Sequence, residues 1–298
     1  MTQPVYLIDA SIYIFRAYFS MPDRWFSPEG DSVNALYGYV QFLLRFMQKT
    51  QAGTLAAAFD ESLGSCFRNE IYPEYKSSRA LPDEALAFQL AACQGFTEIM
   101  GIETLASERY EADDIIATLA SLCREHQRDI CVVSRDKDLG QLLKCAGDSF
   151  WDFAADKIIK RNNFFEHFSV NPEQVVDYLA LVGDRVDDIP GVPGIGAKTA
   201  AALLHKFSSV DQLYQHLDEV ASSSIRGAKN LAVKLHDYRQ QVEMARKLVR
   251  LHSQVPVGVS YQGLQWKIPD QLEVKYFLHE FGLGGQFERQ LAQCSWWS

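Results

Sequence analysis

The sequence predicts an α/β fold in which a largely parallel central sheet, flanked by helices, is followed by a helical second half. Short apolar segments at 5–9, 54–60 and 129–138 have the composition of buried strands. Helical patterns separate these segments, and only helical patterns follow after about residue 169. Because strands that alternate with helices usually pair in parallel, we expect one sheet covered on both faces.

The predicted helices are runs of apolar residues at helical spacing. They occupy 35–46, 84–100 and 112–123 in the first half, then 172–182, 197–207, 210–217, 230–249 and 272–281. No repeat, low-complexity tract or long linker separates the two halves. We therefore expect an α/β core at 1–168, a helical region at 169–258, and a tail at 259–298 that packs on the core.

Composition restricts the class of protein. The 298 residues are 47% hydrophobic and 22% charged, which is typical of a soluble globular protein. No apolar run approaches the roughly 18 residues that span a bilayer, and Asp9 interrupts the apolar N-terminus, which argues against a signal peptide. Six cysteines without a C-x-x-C pair are expected to be reduced and mostly buried. These features predict a cytoplasmic protein without membrane contact, and the lack of a heptad signal favours a monomer.

Acidic residues follow the predicted strands at their carboxyl ends, where open α/β sheets bind ligands. The strand segments end in Asp9, in Asp60, and in Asp136 with Asp138. The acidic run in RYEADDII (109–116) begins the helix between two of these strands, and a further run lies in GDRVDD (183–188). The acids collected in this way are Asp9, Asp60, Glu111, Asp113, Asp114, Asp136, Asp138, Asp184, Asp187 and Asp188.

Each acidic run taken singly has an ordinary explanation. Acids in the first turn of a helix meet the helix macrodipole favourably, and GDRVDD could be a solvated loop. Asp136 and Asp138 would share a face if the strand persists, and Asp184 and Asp187 would do so on a helical turn. Jointly, however, four segments place acids at one edge of a sheet, and their mutual repulsion needs a counter-charge. Oxygen-only clusters suit Mg²⁺ or Mn²⁺, and two such ions roughly 4 Å apart hydrolyse phosphodiesters.

The glycine-rich segment IPGVPGIGAKTAAALLHKF (189–207) predicts two helices joined by a tight glycine turn, a helix-hairpin-helix. It is not a phosphate loop for nucleoside triphosphates, because Ala197 separates Gly196 from Lys198 and no clear strand precedes it. Gly194 and Gly196 would allow close backbone approach, so that amides at the following helix start bind a phosphodiester oxygen. A purely structural turn is the alternative. Added phosphate contacts are expected from Lys198, Thr199 and Lys206.

The segment FRNEIYPEYKSSR (67–79) interleaves basic and aromatic residues, a composition that suits single-stranded nucleic acid. Basic groups would follow the phosphate backbone while rings stack on unpaired bases, although a solvated loop has the same composition. The residues concerned are Arg68, Lys76 and Arg79 with Phe67, Tyr72 and Tyr75. Arg16, in SIYIFRAYF, could also reach the acidic rim, with a surface salt bridge as the alternative.

Together these motifs resemble the bacterial and phage 5′-nuclease (flap endonuclease) family, in particular the N-terminal 5′-3′ exonuclease domain of DNA polymerase I. The resemblance covers essentially the whole chain, and EADD, DKD and GDxxDDIPGVPGIGxKTA in this order are highly specific as a set. No polymerase follows residue 298, so we expect a free-standing enzyme. The other matching motifs are Asp9 with YIFRAYF, AAFD (57–60), FRNEIYPEYKSSR, SRDKDLGQLL, IRGAKNLAVKL (225–235) and FLHEFGL.

The resemblance implies a PIN-like 5′-nuclease fold with a helical arch in region 62–90 and a helix-hairpin-helix (H3TH) region that binds duplex DNA. The glycine turn of that region can hold K⁺ through backbone carbonyls. The implied metal ligands form one group of Asp9, Asp60, Glu111, Asp113 and Asp136, and a second of Asp114, Asp138, Asp184 and Asp187, some acting through water.

The resemblance also implies roles for basic and glycine residues. Lys76 and Arg79 match the arch, where Lys76 would contact the scissile phosphate, and Arg16 and Tyr75 match further active-site positions. The implied DNA-binding residues are Arg68, Gly191, Gly194, Ile195, Gly196, Lys198, Thr199 and Lys206.

Four positions depart from the family pattern without deleting a ligand. Ala10 replaces the glycine usual after the first aspartate, Asp188 stands where asparagine is common, and Arg135 occupies a position that is usually small. Pro73 lies inside the expected arch and would confine one of its helices to starting there, since proline fits a first helical turn. Arch geometry and substrate preference are the properties that these departures leave open.

The predicted function is that of a Mg²⁺-dependent 5′ nuclease, with Mn²⁺ as a substitute, acting on flapped, nicked or 5′-ended duplex DNA at the nucleoid. RNA primers are left open as substrates. Two-metal hydrolysis would leave 5′-phosphate and 3′-hydroxyl ends. The net charge of −9 is compatible with DNA binding, because the nine implied ligands account for all of it and the remaining surface is formally neutral.

Three other functions fit parts of the pattern. A catalytically inactive binder of DNA junctions would share the scaffold, but binding alone needs no such concentration of acids. A PIN-like ribonuclease would share the acidic rim, whereas the glycine turn and the arch segment favour DNA. A phosphatase that does not act on nucleic acid would leave residues 189–207 without a role.

Overall fold

A computed structural model describes residues 3–62, 64–223, 225 and 227–297. The strands are β1 (Val5–Asp9), β2 (Leu55–Asp60), β3 (Glu103–Ser107), β4 (Ile130–Val133), β5 (Ser149–Asp152), β6 (Lys157–Lys160), β7 (Gly183–Asp184) and β8 (Ile189–Pro190). Six of them form a sheet of order β3-β2-β1-β4-β5-β6, in which only the β5–β6 pair is antiparallel. The other two form a small antiparallel hairpin. The predicted fold class is confirmed.

Fourteen α-helices surround and follow the sheet within the described residues. They are α1 (Ala10–Ser20), α2 (Asn34–Thr50), α3 (Arg68–Ile71), α4 (Glu84–Ile99), α5 (Ala112–Glu125), α6 (Phe164–Phe168), α7 (Val175–Val182), α8 (Ala197–Phe207), α9 (Val210–Gln215), α10 (Leu217–Ala221), α11 (Ala228–Asp237), α12 (Arg239–Val249), α13 (Gln271–Glu280) and α14 (Gly284–Leu291). Short 3₁₀-helices occupy Lys137–Leu142, Arg161–Asn163, Pro172–Gln174 and Tyr261–Leu264.

The main differences from the predicted elements lie in the sheet, after β4 and in the helical region. The sequence does not predict β3, β5 or β6, and in β3 only Leu105 is buried, because this strand lies at the edge of the sheet. The strand predicted at 129–138 ends at Val133, after which the chain turns into a 3₁₀-helix. The helix predicted at 230–249 is two helices, α11 and α12, that separate at Tyr238.

The carboxyl ends of the strands meet where the strand order reverses. From β1 the chain continues to β2 and β3 on one side, and it then returns to β4 on the other side of β1. Ligands in open α/β sheets bind in the crevice outside such a switch point. Asp9 is the last residue of β1, and Asp136 follows three residues after the end of β4. The topology therefore brings these two acids to the same crevice.

Two hydrophobic cores cover opposite faces of the sheet. Alternate residues of β1 point into each: Leu7 belongs to the core beneath α5, here called the α5 core, and Ile8 to the core beneath α1, α2 and α4. The α5 core continues without a break into α7, α8, α11 and α12. The sheet and the helical region are therefore parts of one packed structure.

The C-terminal tail packs on the core through hydrogen bonds and aromatic contacts. Trp266 donates from its backbone amide to Gly53 O (3.1 Å) and from its indole Nε1 to Met100 O (2.8 Å). On α13, Phe277 packs against Phe96 of α4 with ring centroids 5.4 Å apart. These contacts fix the tail against α4 and the residues that precede β2.

Two further features of the described residues are the hydropathy of the helices and the state of the cysteines. No described helix combines the length and hydropathy needed to cross a membrane. Within the described residues no cysteine is paired, and only Cys145 is exposed. Burial raises the pKa of Cys123 and Cys131 to about 12, so that both thiols stay protonated at neutral pH.

The β7–β8 hairpin needs glycine where its two strands meet the end of α7. A Cβ at Gly191 would lie 2.2 Å from the carbonyl carbon and oxygen of Val182, and a Cβ at Gly183 would lie 2.4 Å from the amide nitrogen of Gly191. Both contacts are with backbone, which cannot rotate away as a flexible side chain can. Only glycine permits this close approach.

We expect Gly191→Ala to destabilise the protein by about 2 kcal/mol, the typical cost of an overpacked site, because the added methyl group meets the Val182 backbone. Gly53→Ala is the matched control, since a Cβ there meets no atom within 4 Å. Urea or thermal unfolding of both variants measures the difference. Equal unfolding free energies for the two variants would contradict the close approach at Gly191.

Candidate active site

Acids and basic groups from distant parts of the chain converge on a cavity of about 130 Å³. It contains six of the nine predicted metal ligands and two residues of the predicted arch. The acids are Asp9, Asp60, Glu111, Asp113, Asp136 and Asp187, and the basic residues are Lys76 and Arg79. Asp114, Asp138 and Asp184 do not line this cavity.

Asp9 is held at the cavity by the start of α1. Its Oδ1 accepts a hydrogen bond from Ile12 N (3.3 Å) as the N-cap of the helix, and its Oδ2 accepts one from Ser134 Oγ (2.8 Å). Burial raises the pKa of Asp9 to about 7, and the carboxylates of Asp136 and Asp60 add to the rise. Asp9 is therefore costly to ionise without a nearby cation.

Asp60 and Asp113 share this environment. Asp60 ends β2, and Ser62 Oγ donates to its Oδ1 (2.9 Å). Burial raises the pKa of Asp60, with Lys76 opposing the rise. Burial also raises the pKa of Asp113 well above its ordinary value, and repulsion from Asp136 and Asp9 raises it further. The carboxylates thus lie close enough to disfavour each other's charge.

Asp136 and Asp138 do not share a strand face, contrary to one expectation from the sequence. Because β4 ends at Val133, Asp136 instead caps the following 3₁₀-helix, and its Oδ1 accepts from Asp138 N (2.9 Å). Burial and the Asp136 charge raise the pKa of Asp138 to about 8, with smaller contributions from Asp184 and Asp187. The buried Oδ1 of Asp138 has no hydrogen-bond partner among the described residues.

Asp184 and Asp187 lie on a β-hairpin and not on a helical turn. Asp184 belongs to β7 and pairs with Ile189 of β8, while Asp187 lies in the connecting turn, residues 185–188. Burial raises the pKa of Asp187, and Lys76 and Arg79 oppose the rise. The hairpin therefore carries these acids toward Asp138 and the cavity from the helical region.

Glu111 is the acid with the most basic surroundings. Lys76 Nζ and Arg68 Nη1 form ion pairs with its two oxygens, the latter at 2.9 Å, and Tyr75 Oη donates to Oε2 (2.9 Å). Burial alone would raise the pKa of Glu111, but Lys76 and Arg68 outweigh it and hold the pKa below its ordinary value. Burial alone would lower the pKa of Lys76, but the carboxylates of Glu111, Asp187 and Asp60 outweigh it and raise that pKa. Glu111 is thus charged at neutral pH.

The segment 72–79 folds onto the hairpin turn 185–188. Lys76 N donates to Asp187 O (3.0 Å), Ser78 N donates to Asp188 Oδ2 (2.8 Å), and Arg79 pairs with Asp187. Asp188 has φ +56°, a left-handed conformation that Asn and Asp adopt more readily than most residues. This conformation explains why asparagine or aspartate suits the position.

The predicted arch region has little helix of its own. The helix α3 ends at Ile71, residues 73–79 form turns, and α4 begins at Glu84. Pro73 does not begin a helix, contrary to the expectation. Tyr72, immediately before it, is extended (φ −146°, ψ 103°), as residues that precede proline prefer.

Two predicted site residues are engaged inside the protein. Arg68 is 1% exposed, and its guanidinium donates to both carboxylate oxygens of Asp114 (2.6 and 2.8 Å), so in the DNA-free protein it does not present the surface contact predicted for it. Asp114 is fully buried and also accepts from the backbone amides of Glu111 and His252. Asp114 therefore lies below the cavity without lining it, and its role as a metal ligand stays a prediction.

Two of the three aromatic residues of the 67–79 segment are also engaged inside the protein, whereas Tyr72 is half-buried. Tyr75 is buried, with its hydroxyl on Glu111. Phe67 packs against Tyr110 and His252, with ring centroids 5.4 and 6.0 Å apart. Of the three rings, Tyr72 is therefore the one that could stack on a base, and this stacking stays a prediction.

Three other predicted positions lie near the cavity without entering it. Arg16 lines a separate cavity of about 380 Å³ between α1 and α2. Arg135 is exposed and donates to Asp152 (3.2 Å). Ala10 is the buried first residue of α1, where a helix former suits the position better than glycine.

The glycine-rich turn joins the hairpin to α8, so that the two helices are connected by residues 183–196 and not by a tight turn alone. Gly194 has φ +86°, and Gly196 is exposed at the N-cap of α8 with free space around its Cα. Lys198 is exposed and Thr199 is half-buried in the first turn of α8, whereas Ile195 is buried. The turn thus presents backbone amides and Lys198 together.

Lys206 lies at the opposite end of α8 from the glycine turn. Eight residues of helix separate it from Lys198, about 12 Å at 1.5 Å per residue. Its Nζ donates to Glu219 O (3.4 Å). Its contribution to phosphate binding at the turn should therefore be small.

Several residues at the site were not predicted from the sequence. Ser134 donates to Asp9, Lys137 lies 3.9 Å from Asp184, and Lys234 Nζ donates to Pro193 O (2.9 Å) in the glycine turn. Ser134 and Lys137 are close to Asp136 in the sequence SRDKD, so their position beside the acids could have been predicted. Lys234 lies on α11, and nothing in its local sequence indicates this contact.

The donor set of the cavity fits a hard divalent cation. It consists of carboxylate oxygens, which Mg²⁺ and Mn²⁺ prefer, and burial with mutual repulsion raises the pKa of Asp9, Asp113 and Asp138. In the part of the chain that the structure describes, however, no three acidic, histidine or cysteine side chains are grouped so that they could hold one ion. Lys76 and Arg79 instead supply the positive charge. Metal binding would therefore require some of these side chains to reorient.

Two family models match most of the chain, residues 4–272. A model of the 5′-3′ exonuclease N-terminal, resolvase-like domain matches residues 4–169, and one of the 5′-3′ exonuclease C-terminal SAM fold matches residues 170–272. The chain belongs to the 5′-3′ exonuclease family. As a member of this family it is a nuclease, and the second matched region contains the glycine-rich turn.

Relatives of this nuclease occur both as exonucleases of similar length and within DNA polymerases. The chain is 31% identical over 265 residues to the 5′-3′ exonuclease of Buchnera aphidicola subsp. Schizaphis graminum, covering 89% of this chain and 92% of that protein. It is 30% identical to the 5′-3′ exonuclease of Aquifex aeolicus (93% and 91%). It is 34% identical to DNA polymerase I of Pseudomonas aeruginosa, where it spans 88% of this chain but 28% of that protein.

Solved structures share the fold at low sequence identity. T5 5′-exonuclease, determined with bound zinc, matches with a TM-score of 0.69 at 21% identity, covering 95% of this chain and 99% of that one. The catalytic core of Rad2 in complex with DNA substrate matches with a TM-score of 0.65 at 14% identity, covering 97% and 90%. Both likenesses show that this nuclease shares the fold of those proteins.

Proposed function

We propose that this exonuclease-family protein is a divalent-metal-dependent 5′ nuclease that hydrolyses phosphodiesters of DNA with 5′ flaps, nicks or 5′ ends. The proposal is carried by the cavity in which six carboxylates meet Lys76 and Arg79. Binding of DNA alone needs no buried group of like charges, whereas phosphodiester hydrolysis by metal ions does. The relatives named 5′-3′ exonuclease and the DNA-bound Rad2 core support this choice of substrate.

Mg²⁺ is the proposed ion, with Mn²⁺ as a substitute. One ion would be held by carboxylates around Asp9 and Asp113, and a second by Asp138, Asp184 and Asp187. Asp114 is left out of both groups because its oxygens already accept four hydrogen bonds. When bound, two such ions would activate a water and stabilise the leaving oxygen, giving 5′-phosphate and 3′-hydroxyl ends.

Lys76 and Arg79 are proposed to bind the scissile phosphate. In the DNA-free protein they pair with Glu111 and Asp187. A phosphodiester entering the cavity offers them new anionic partners, and the Arg79 guanidinium can bind it with two hydrogen bonds. Their transfer to phosphate would release Glu111 and Asp187 toward the metal ions. Tyr75 would remain a hydrogen-bond donor to Glu111 after Lys76 has left it.

The glycine turn and the start of α8 are proposed to bind the duplex away from the cut. Free amides at a helix N-terminus favour phosphate oxygens, and Lys198 lies beside them. A cavity of about 130 Å³ admits a phosphate but no base pair. We expect the terminal base pair to open so that the scissile phosphate can enter.

The K⁺ ion implied for the glycine turn has fewer free carbonyls than expected. Pro193 O accepts from Lys234 Nζ (2.9 Å), and Gly191 O accepts from Gln241 Nε2 (2.7 Å). A bound K⁺ would rely on the remaining carbonyls of residues 191–196. Duplex affinity in KCl compared with NaCl, at equal ionic strength, tests whether the turn uses the ion.

Cleavage of a 5′-labelled flap duplex in Mg²⁺ tests the proposed function. We expect a short labelled product released near the junction, and no product in EDTA. A 5′-flap RNA hybrid and a nicked duplex in parallel rank the substrates. Tight flap binding without cleavage in any metal would instead support a junction-binding protein, and faster cleavage of RNA would support a ribonuclease.

Lys198→Ala is expected to weaken duplex binding and to lower the slope of log K against log salt concentration by about 1, because one phosphate contact is lost. Lys206→Ala should have a smaller effect, since its ammonium lies at the far end of α8. Lys157→Ala, on the exposed strand β6, is the control. Fluorescence anisotropy at four salt concentrations gives the slopes. Identical slopes for all three variants would show that the glycine turn is not part of the DNA interface.

Divalent ions should stabilise the DNA-free protein, because they offset the repulsion among the buried carboxylates. At a metal concentration 100 times the dissociation constant, we expect about 2.7 kcal/mol of added stability from mass action at one site. Thermal unfolding in Mg²⁺ and in EDTA measures the shift. A melting temperature that is the same in both would contradict a metal site in the folded protein.

A further inference from the structure

Among the residues that the structure describes, the largest fully buried side chain is a guanidinium group beneath the active site. Arg68 is 1% exposed and donates from Nη1 and Nη2 to the two oxygens of Asp114, at 2.6 and 2.8 Å. Its Nε donates to Leu248 O (2.6 Å), and Nη2 also reaches Arg250 O (3.3 Å). A buried charge is tolerated when it is paired and its donors are satisfied, and Arg68 meets both conditions.

Asp114 is equally engaged. Its Oδ1 accepts from Arg68 Nη2 and from His252 N (2.7 Å), and its Oδ2 accepts from Arg68 Nη1 and from Glu111 N (3.2 Å). Each oxygen thus has two donors, and neither lines the cavity. A metal ligand needs a lone pair directed at the ion, and Asp114 has none left.

The pair nevertheless touches the site through Glu111. Arg68 Nη1 lies 2.9 Å from Glu111 Oε2, on the opposite side of that carboxylate from Lys76. Asp114 caps the Glu111 amide at the first turn of α5. The two side chains therefore fix both the backbone and the carboxylate of Glu111.

The pair also joins elements that are far apart in the chain. Arg68 belongs to α3 at the base of the 67–79 segment, Asp114 to α5, and the carbonyl of Leu248 to α12 of the helical region. One guanidinium thus links the segment that carries Lys76, the helix that carries Glu111 and Asp113, and the region that carries the glycine turn. A shift of any of these would move Glu111 relative to Lys76.

We propose that Arg68 and Asp114 form a positioning pair for Glu111 and the 67–79 segment, and that Asp114 acts through this pair and not as a metal ligand. This inference rests on the proposed nuclease function for its effect on rate. Whether Asp114 is a metal ligand can be measured by metal binding alone, without any cleavage. Glu111, which reaches the cavity, is the carboxylate that the pair serves.

The experiment compares Asp114→Asn and Arg68→Lys with Asp148→Asn. Asp148 is a matched control, because it is a fully buried aspartate with an arginine partner, Arg124 (3.3 Å), and it does not line the cavity. Three quantities are measured for each protein: Mn²⁺ bound per DNA-free protein by electron paramagnetic resonance, the metal concentration for half-maximal cleavage, and the maximal single-turnover rate on a flap duplex. Thermal unfolding identifies the temperature at which each variant is folded.

Asp114→Asn is expected to keep the Mn²⁺ stoichiometry and to shift the half-maximal metal concentration by less than about threefold, while the maximal rate falls about 10- to 100-fold. Arg68→Lys should keep the stoichiometry and lose less rate, because an ammonium can still pair with Asp114. Asp148→Asn should lower the melting temperature without lowering the rate of the folded enzyme.

Loss of one Mn²⁺, or a tenfold shift in metal requirement with Asp114→Asn, would overturn the inference and make Asp114 a ligand. A rate equal to that of Asp148→Asn would also overturn it, because the pair would then be merely structural. If Asp114→Asn does not fold, Arg68→Lys gives the same comparison. Absence of cleavage by the unmodified protein would refute the nuclease function, while the Mn²⁺ count would still decide the role of Asp114.

Discussion

Asp113→Asn is expected to lower the rate of flap cleavage at least about 1,000-fold while flap affinity changes by less than about threefold, the pattern of a residue used in the transition state. Asp113 lies in the first turn of α5 inside the cavity, and burial, together with repulsion from Asp136 and Asp9, raises its pKa. Replacing it with a neutral amide of the same shape removes charge from the position where several carboxylates converge. A bound cation would then lose a strong ligand.

Single-turnover cleavage in Mg²⁺ and anisotropy in Ca²⁺ measure the two quantities for Asp113→Asn separately. Glu166→Gln, a matched carboxylate-to-amide change at an exposed position of α6, should alter neither. Cleavage by Asp113→Asn within tenfold of the unmodified protein would exclude Asp113 from the reaction. Equal losses of rate and affinity would point to a folding defect, which circular dichroism would detect.

Lys76→Ala is expected to lower the maximal rate about 100-fold with little change in affinity, because its ammonium is directed at the reacting centre and not at the duplex. Lys76 lies in the cavity, paired with Glu111 and 3.9 Å from Asp187. Removing it takes away a cation that stabilises developing charge on the phosphate. It also leaves Glu111 with Arg68 as its remaining basic partner.

The comparison for Lys76→Ala is Lys157→Ala, which removes the same group from an exposed strand. Rates at saturating protein and dissociation constants in Ca²⁺ separate the two effects. If Lys76→Ala weakened binding as much as it slowed cleavage, the ammonium would be a general phosphate contact and not a group specific to the transition state.

The sequence was sufficient to predict the strands that end in Asp9 and Asp60, because a buried strand and its terminal acid are adjacent in the chain. It did not predict β3, whose single buried residue, Leu105, leaves a weak apolar pattern at the sheet edge. It also misjudged the geometry of Asp136 and Asp138, because the end of β4 is set by pairing with β1 and β5 and not by local composition.

The role of Arg68 shows why part of the site could not be predicted. A basic residue between aromatic ones has the composition of a nucleic-acid contact, and local sequence does not tell whether it faces solvent. Its partners are Asp114, 46 residues away, and Leu248, 180 residues away. Such contacts are set by packing of the helical region on the sheet. Lys76, in the same segment, does reach the cavity as predicted.

The α5 core runs from the sheet into α7, α8, α11 and α12 without a break. Side chains of the sheet and of the helical region pack together in this core. The regions 4–169 and 170–272 should therefore not be exchangeable between distant relatives. A helical region taken from another member would carry a surface fitted to a different sheet. Lineages of this kind should therefore diversify in substrate preference through turns outside the core, such as residues 185–188 and 191–196, and not through recombination near residue 169.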